Sequence, residues 1–343
     1  MSSFAALDTT WFALIGLLWA GYLFLEGFDF GVSIVAPFVS ADDQDRRICI
    51  NAIGPVWDGN EVWLVTAGGA TFAAFPLWYG RLFSGFYLAL FLVLLALIVR
   101  GVSFEFRGKL TSAAWRRTWD WANFAGSLVP AVVWGAAFTD LVRGVVLAPG
   151  GVYFGGLLGL LHPVALVGGL ASATLFALHG SVFLSMKTGG GLAERARKAA
   201  VVAGVAATAL LSVAVAWVAL AGRPSVPGAV SPVLPLALGA LGVLAAAGGT
   251  ALVATGRGGL AFLSTGLAIL AGLGAVFSRM FPEVLPASNV ASHSLTIAGS
   301  ASQHETLVVM TVVAAVFTPL VLAYQGWTYW VFRQRLVRAT AGA

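Results

Sequence analysis

The sequence predicts an all-α polytopic membrane protein of about nine transmembrane helices, arranged as two four-helix bundles plus one peripheral helix. Three observations carry this expectation. Hydrophobic residues make up 59% of the 343 positions and charged residues only 10%, where a soluble domain carries about 25% charged residues. Runs such as Leu82 to Val99 and Ala199 to Leu220 are continuously apolar, and a hydrocarbon core needs about 20 such residues per crossing. These runs lack the period-two alternation over about ten residues that marks a membrane barrel. No connection is long enough for a soluble domain, so residues 1–343 read as a single membrane domain.

Apolar windows place the helices, in order, at 11–38, 55–78, 82–101, 119–140, 158–186, 199–221, 232–254, 259–280 and 304–332. The first, beginning at Trp11, is too long for a secretory leader and has no basic segment before it. The second carries an acidic pair in its first turns, and the third is the uninterrupted Leu82 to Val99 run. Trp119 opens the fourth, and the fifth holds His162, just before Pro163, and His179. The sixth is the Ala199 to Leu220 run, and only a very short turn separates the seventh from the eighth. The ninth follows the longest connection, Met280 to Gln303.

With this assignment, all but four of the nineteen lysines and arginines fall on one side. The exceptions are Arg81, Arg143, Arg223 and Arg279. The positive-inside rule then puts the N-terminus outside and the C-terminus in the cytoplasm. Topology accounts for the net charge of +5, and no basic domain suggests a nucleic-acid partner. The single cysteine, Cys49, cannot form an intrachain disulfide, and no Cys/His cluster points to zinc or iron–sulfur. No phosphate-binding glycine motif is present. The glycine pairs Gly68-Gly69, Gly155-Gly156, Gly168-Gly169 and Gly248-Gly249 instead suit close helix packing.

Four acids stand out. Glu26 and Asp29 in the first helix, and Asp58 and Glu61 in the second, are each spaced i, i+3 and so share a helix face. An ionised side chain at mid-bilayer costs about 2.5 to 3.5 kcal/mol on insertion scales. At 1.5 Å per residue, Glu26 and Asp29 lie roughly 22 to 27 Å beyond Trp11, toward the cytoplasmic end where the second helix begins. The four acids are therefore expected to face one another there, as a proton-entry path would require. The alternative is purely structural, with the acids ion-paired to Arg46, Arg47, Arg100 or Arg107. Asn60 sits within the second pair, and Trp57 and Trp63 flank it. Trp11, Trp78, Trp119, Trp121, Trp327 and Trp330 lie near helix ends, where aromatic belts form. His162, His179, His293 and His304 are isolated, and a hydrogen bond to a neighbouring helix is the ordinary role of such a residue, rather than axial haem ligation. A secondary transporter is a competing reading, but its acids would lie nearer the midplane.

The run Gly27-Phe28-Asp29-Phe30-Gly31, then Arg46-Arg47, Asn51, and Gly54 through Leu64 (GPVWDGNEVWL) resembles subunit II of cytochrome bd quinol oxidase. Gly68-Gly69, Phe72 through Pro76, Phe83 through Tyr87, Arg100-Gly101-Val102, Phe104 through Arg107 and Trp119-Asp120 continue the pattern in order. Later matches are the Met280-Phe281-Pro282 to Pro286 turn and Ser292 to Leu295. The resemblance implies a terminal oxidase of aerobic respiration that oxidises a membrane quinol and reduces dioxygen to water, electrogenic but not proton-pumping. It implies a bacterial cytoplasmic-membrane location and a larger partner, subunit I, that holds haems b and d, with small single-helix subunits in some members. This chain would be the haem-free half, inactive alone, with no metal of its own and, as in some members, a structural quinone or lipid. Asp58, Asp29, Glu26 and Glu61 would form the proton path, supported by Asn60, Trp57, Trp63 and Arg100.

Overall fold

A computed structural model of the chain describes residues 3–220 and 227–338. Its helices are α1 (Ser3–Val39), α2 (Asp43–Ile53), α3 (Trp57–Ala74), α4 (Pro76–Gly85), α5 (Tyr87–Phe106), α6 (Ala113–Arg143), α7 (Gly156–Leu160), α8 (Pro163–Lys187), α9 (Gly190–Leu220), α10 (Val233–Ala254), α11 (Gly258–Met280), α12 (Ile297–Ser300) and α13 (His304–Val331). Eight of them, α1, α5, α6, α8, α9, α10, α11 and α13, are long and apolar enough to cross a membrane. The expected second span, α3, falls short of that measure because Asp58, Asn60 and Glu61 crowd its first turns. Ala221, the expected end of the sixth helix, and Arg223 lie outside the described residues.

The helices fall into the expected two sets with one peripheral helix. In one set α1 packs on α3 and α6, and α6 on α5; in the other α8, α9, α10 and α11 pack in sequence. Contacts of α1 with α8 and α11, and of α6 with α8, join the two sets. Helix α13 lies peripherally against α1 and α3, with only 6% of its apolar window buried. The α1–α8 crossing is set by Gly31 and Gly180, where a Cβ on either residue would strike the backbone of the other helix. At the end opposite the arginine-rich face, strands β1 (Leu147–Ala148) and β2 (Val152–Tyr153) pair antiparallel, as do β3 (Glu283–Leu285) and β4 (Leu295–Thr296). Val145 N–H donates to the Pro286 carbonyl at 3.0 Å and links the two ribbons.

Several boundaries differ from expectation, each for a local reason. The predicted 55–78 helix is broken at Phe75 (φ −137°, ψ 67°), because Pro76 has no N–H and forces the preceding residue out of the helical region. Helix α4 then occupies the start of the predicted 82–101 span, which begins five residues later, at Tyr87. The 158–186 helix is divided at His162, whose Nδ1 accepts from the Val164 N–H at 3.3 Å and caps α8, with Pro163 at its first position. Helix α2 is too polar for a hydropathy window to find; Asp42 caps it by accepting from the Asp45 N–H at 3.0 Å. The short turn before α11 is made by Gly256 at φ +79°.

Two tryptophans assigned to the membrane belts are core residues instead. Trp78 is buried, and Trp11 is buried with its Nε1 donating to the Leu307 carbonyl (3.2 Å) and Thr311 Oγ1 (3.0 Å), which fastens α1 to α13. Cys49, on the inner face of α2, is fully buried, and burial pushes its thiol up to about 11. The thiolate is the reactive form, so Cys49 should resist maleimide at pH 8 in the folded protein and react only on denaturation. Equal labelling rates in both states would contradict this packing.

Candidate functional site

The site forms where the last turns of α1 meet the first turns of α3 and the last two turns of α5. Glu26 and Asp29 are completely buried there. Spacing of three on α1 sends both inward on adjacent lines of one face. Helix α5 contributes Arg100, also completely buried, whose Nη1 is ion-paired with Glu26 and lies 3.6 Å from Glu61 Oε2. Its guanidinium sits over Phe30, Phe104 and Trp57, at 4.9, 5.5 and 5.9 Å from the ring centroids. Aromatic faces attract a cation most where water is excluded, so this cage helps offset the desolvation of Arg100. The local backbone is tied down as well, since Ser103 Oγ donates to the Arg100 carbonyl (2.6 Å) and Asn123 Nδ2 to Ser103 Oγ (2.9 Å).

A second set of polar contacts runs from Asp29 toward the peripheral helix. Asn60 Nδ2 donates to Asp29 Oδ2 at 2.7 Å, while Asn60 Oδ1 accepts from Tyr329 Oη (2.7 Å) and Gln325 Nε2 (3.1 Å). Gln325 Oε1 in turn accepts from Trp63 Nε1 at 2.9 Å. Glu26 Oε2, Asp29 Oδ1, and Arg100 Nε and Nη2 are buried without a hydrogen-bond partner among the described protein groups. Buried polar atoms of this kind are ordinarily satisfied by ordered water. Glu61 is half-buried, with 25% of its side chain exposed, and connects the buried groups to the surface.

Of the four acids, Glu26, Asp29 and Glu61 are brought together and Asp58 is not. Asp58 is exposed on the outer face of α3 with Val62, Val65 and Phe72. The helical repeat explains this: two residues turn the helix by about 200°, so burying Asn60 against α1 sends Asp58 outward. Its place in the first turn also puts its charge at the positive end of the α3 dipole. Among the arginines named as structural partners, only Arg100 meets these acids. Arg107 binds Asp43 (2.7 Å) and Asp120 (2.6 Å), and Arg46 lies 3.2 Å from Asp120. Gln325 and Tyr329 escaped the sequence reading. Their only sequence signal is a polar pair spaced i, i+4 near the end of an apolar helix.

The histidines are engaged elsewhere. His179 is buried, with Nδ1 2.7 Å from Thr265 Oγ1 and its ring stacked on Phe262 at 4.4 Å. His293 Nδ1 donates to the Leu147 carbonyl at 2.7 Å, and His162 is the α8 cap. Among the described residues no group of three His, Cys, Asp or Glu is placed to hold a metal ion.

Comparison with known proteins agrees with this architecture over nearly the whole chain. Residues 7–332 match the family model for cytochrome bd terminal oxidase subunit II. The chain is 38% identical to cytochrome bd ubiquinol oxidase subunit 2 of Bacillus subtilis over 339 residues, covering 97% of each protein. It is 36% identical to cytochrome bd-I ubiquinol oxidase subunit 2 of Escherichia coli K12 over 372 residues, covering 98% of this chain and 97% of that one. A chain in the solved bd oxidase from Geobacillus thermodenitrificans superposes with a TM-score of 0.76 at 17% identity, covering 95% of this chain and 98% of that one, and so shares the fold.

Proposed function

From its membership in the cytochrome bd terminal oxidase subunit II family, we propose that this multi-pass membrane subunit supports assembly of the haem-bearing subunit I and admits cytoplasmic protons for the reduction of dioxygen to water. Its N-terminus faces outward and its arginine-rich end faces the cytoplasm of a bacterial cell. The complex takes electrons from a membrane quinol. Haems b and d of subunit I carry them to oxygen, and the chain alone has no oxidase activity.

The observation that supports the proton path is the sharing of one buried guanidinium, Arg100, by Glu26 and Glu61, with Asp29 close behind. Three carboxyl groups beside one cation leave charge that mobile protons can balance. Half-exposed Glu61 receives a proton from the cytoplasmic side, and Glu26 and Asp29 hold it at Oε2 and Oδ1, the oxygens not committed to a hydrogen bond. Asn60, Gln325 and Tyr329 keep Asp29 oriented. Trp57 walls the cluster, and Trp63 steadies Gln325. Asp58 is exposed beside the apolar stripe of Val62, Val65 and Phe72, and in this reading subunit I covers that stripe and takes up protons from Asp58. A structural quinone or lipid would occupy an apolar site of this subunit.

Asp29→Asn should lower quinol-oxidase turnover of the purified complex by about a hundredfold, the usual scale for loss of a proton-transferring group. Haem content per complex should stay unchanged. Asp58→Asn should give a smaller loss with the same haem content. Full turnover in both variants would overturn the proton path. Loss of haem in step with activity would show that the acids serve only to hold the subunits together.

A further inference from the structure

The arginine-rich face carries a second constellation that the proton path does not use. A half-open cavity of about 860 Å³ lies between the end of α8, the start of α9, the α10–α11 turn and the segment after α13. Three arginines from three separate parts of the chain line it: Arg197, Arg257 and Arg335. Most arginines on this face are engaged. Arg107 and Arg116 bind Asp43, Arg195 and Arg338 bind Asp45, and Arg333 donates to the Trp330 carbonyl. The side chains of Arg197, Arg257 and Arg335 make no ion pair or hydrogen bond among the described residues. The one acid of the lining, Glu194, is already taken by Lys198 at 3.1 Å.

Three arginines against one acid leave the cavity net positive, although Arg197 is near enough to Glu194 to offset part of its charge. Two helices begin at its wall, α9 at Gly190 and α11 at Gly258, and each turns the positive end of its dipole toward it. On its membrane side the wall continues into Leu260 and Leu263 of α11, both exposed apolar residues. Guanidinium groups bind phosphate oxygens in bidentate fashion, and basic pockets between membrane helices on the cytoplasmic side are where anionic headgroups are held. We infer that this cavity binds the phosphodiester headgroup of an anionic phospholipid, with its acyl chains lying along Leu260 and Leu263. A bound lipid would tie the C-terminal segment to α9 and α11. That segment is already docked, through the Leu336 N–H donating to the Lys187 carbonyl at 2.8 Å.

The test is native mass spectrometry of the intact complex after reconstitution in phosphatidylcholine nanodiscs doped with phosphatidylglycerol. The parent complex should retain phosphatidylglycerol selectively through mild detergent release. An arginine near an anionic surface contributes about fivefold in affinity, so Arg257→Gln/Arg335→Gln should weaken retention by about thirtyfold. Arg257→Gln alone should give about fivefold, and Lys109→Gln, an exposed charge elsewhere on the same face, should change nothing. Equal retention by parent and double variant, or an equal loss in Lys109→Gln, would overturn the site. Displacement of the lipid by millimolar inorganic phosphate, with phosphate then held by the parent alone, would mark the cavity as a free-anion site and overturn the lipid assignment. Oxidase turnover plays no part in the readout, so the result stands apart from the proton-path proposal.

Discussion

Arg100→Met is expected to prevent recovery of a folded subunit. The substitution keeps an unbranched side chain in the aromatic cage but leaves Glu26 buried without its cation. Removing one member of a buried ion pair costs about 3–5 kcal/mol, a large share of the 5–15 kcal/mol that holds a typical protein folded. Glu61 loses its nearest cation as well. Fluorescence-detected size-exclusion of detergent extracts should show aggregate in place of a monodisperse peak. The double variant Glu26→Gln/Arg100→Met removes both charges and should recover much of that peak, because a neutral pair no longer carries the desolvation penalty. A single variant as monodisperse as the parent would show that Arg100 is not what stabilises the buried acids.

The second large effect is expected at the α1–α8 crossing. In Gly31→Ala the added methyl would fall on the Phe176 carbonyl oxygen and 2.8 Å from Gly180 Cα, and in Gly180→Ala it would fall on the Gly31–Val32 backbone. Neither obstacle is a side chain that can rotate away, so the helices must separate. Overpacking costs about 1–3 kcal/mol where side chains can yield, and more where backbone must move. Separation would also pull Phe28 from Phe183, now stacked at 4.3 Å, one residue before Asp29. Both variants should lower the thermal aggregation midpoint of the purified complex sharply. Gly272→Ala, where an added Cβ meets nothing within 4 Å, should leave it unchanged. Equal midpoints in Gly31→Ala and Gly272→Ala would disprove the close approach.

The same contrast shows what the sequence alone determined. Hydrocarbon thickness acts on composition over about 20 residues at a time, so membrane class and the order of the long apolar helices were legible before any coordinates, whereas their division into two sets is decided by packing. The buried acids of α1 were legible too, because a charge inside an apolar run is costly wherever that run packs. The proline breaks at Phe75 and His162 were written in the chain, yet a hydropathy window averages across them.

What only the tertiary structure decided is which side each helix presents. Rotation of α3 about its own axis is invisible to spacing within α3, and it is fixed by Asn60 meeting Asp29, Gln325 and Tyr329 from two other helices. That rotation buries Asn60, half-buries Glu61 and leaves Asp58 outside. The choice of Arg100 over Arg46, Arg47 and Arg107 as partner to the acids was equally hidden, since it depends on α5 lying against α1 and α3 at one depth. Local sequence sets which groups a helix carries; long-range packing sets which of them meet, because a pairwise contact exists only once two distant segments share a position in space.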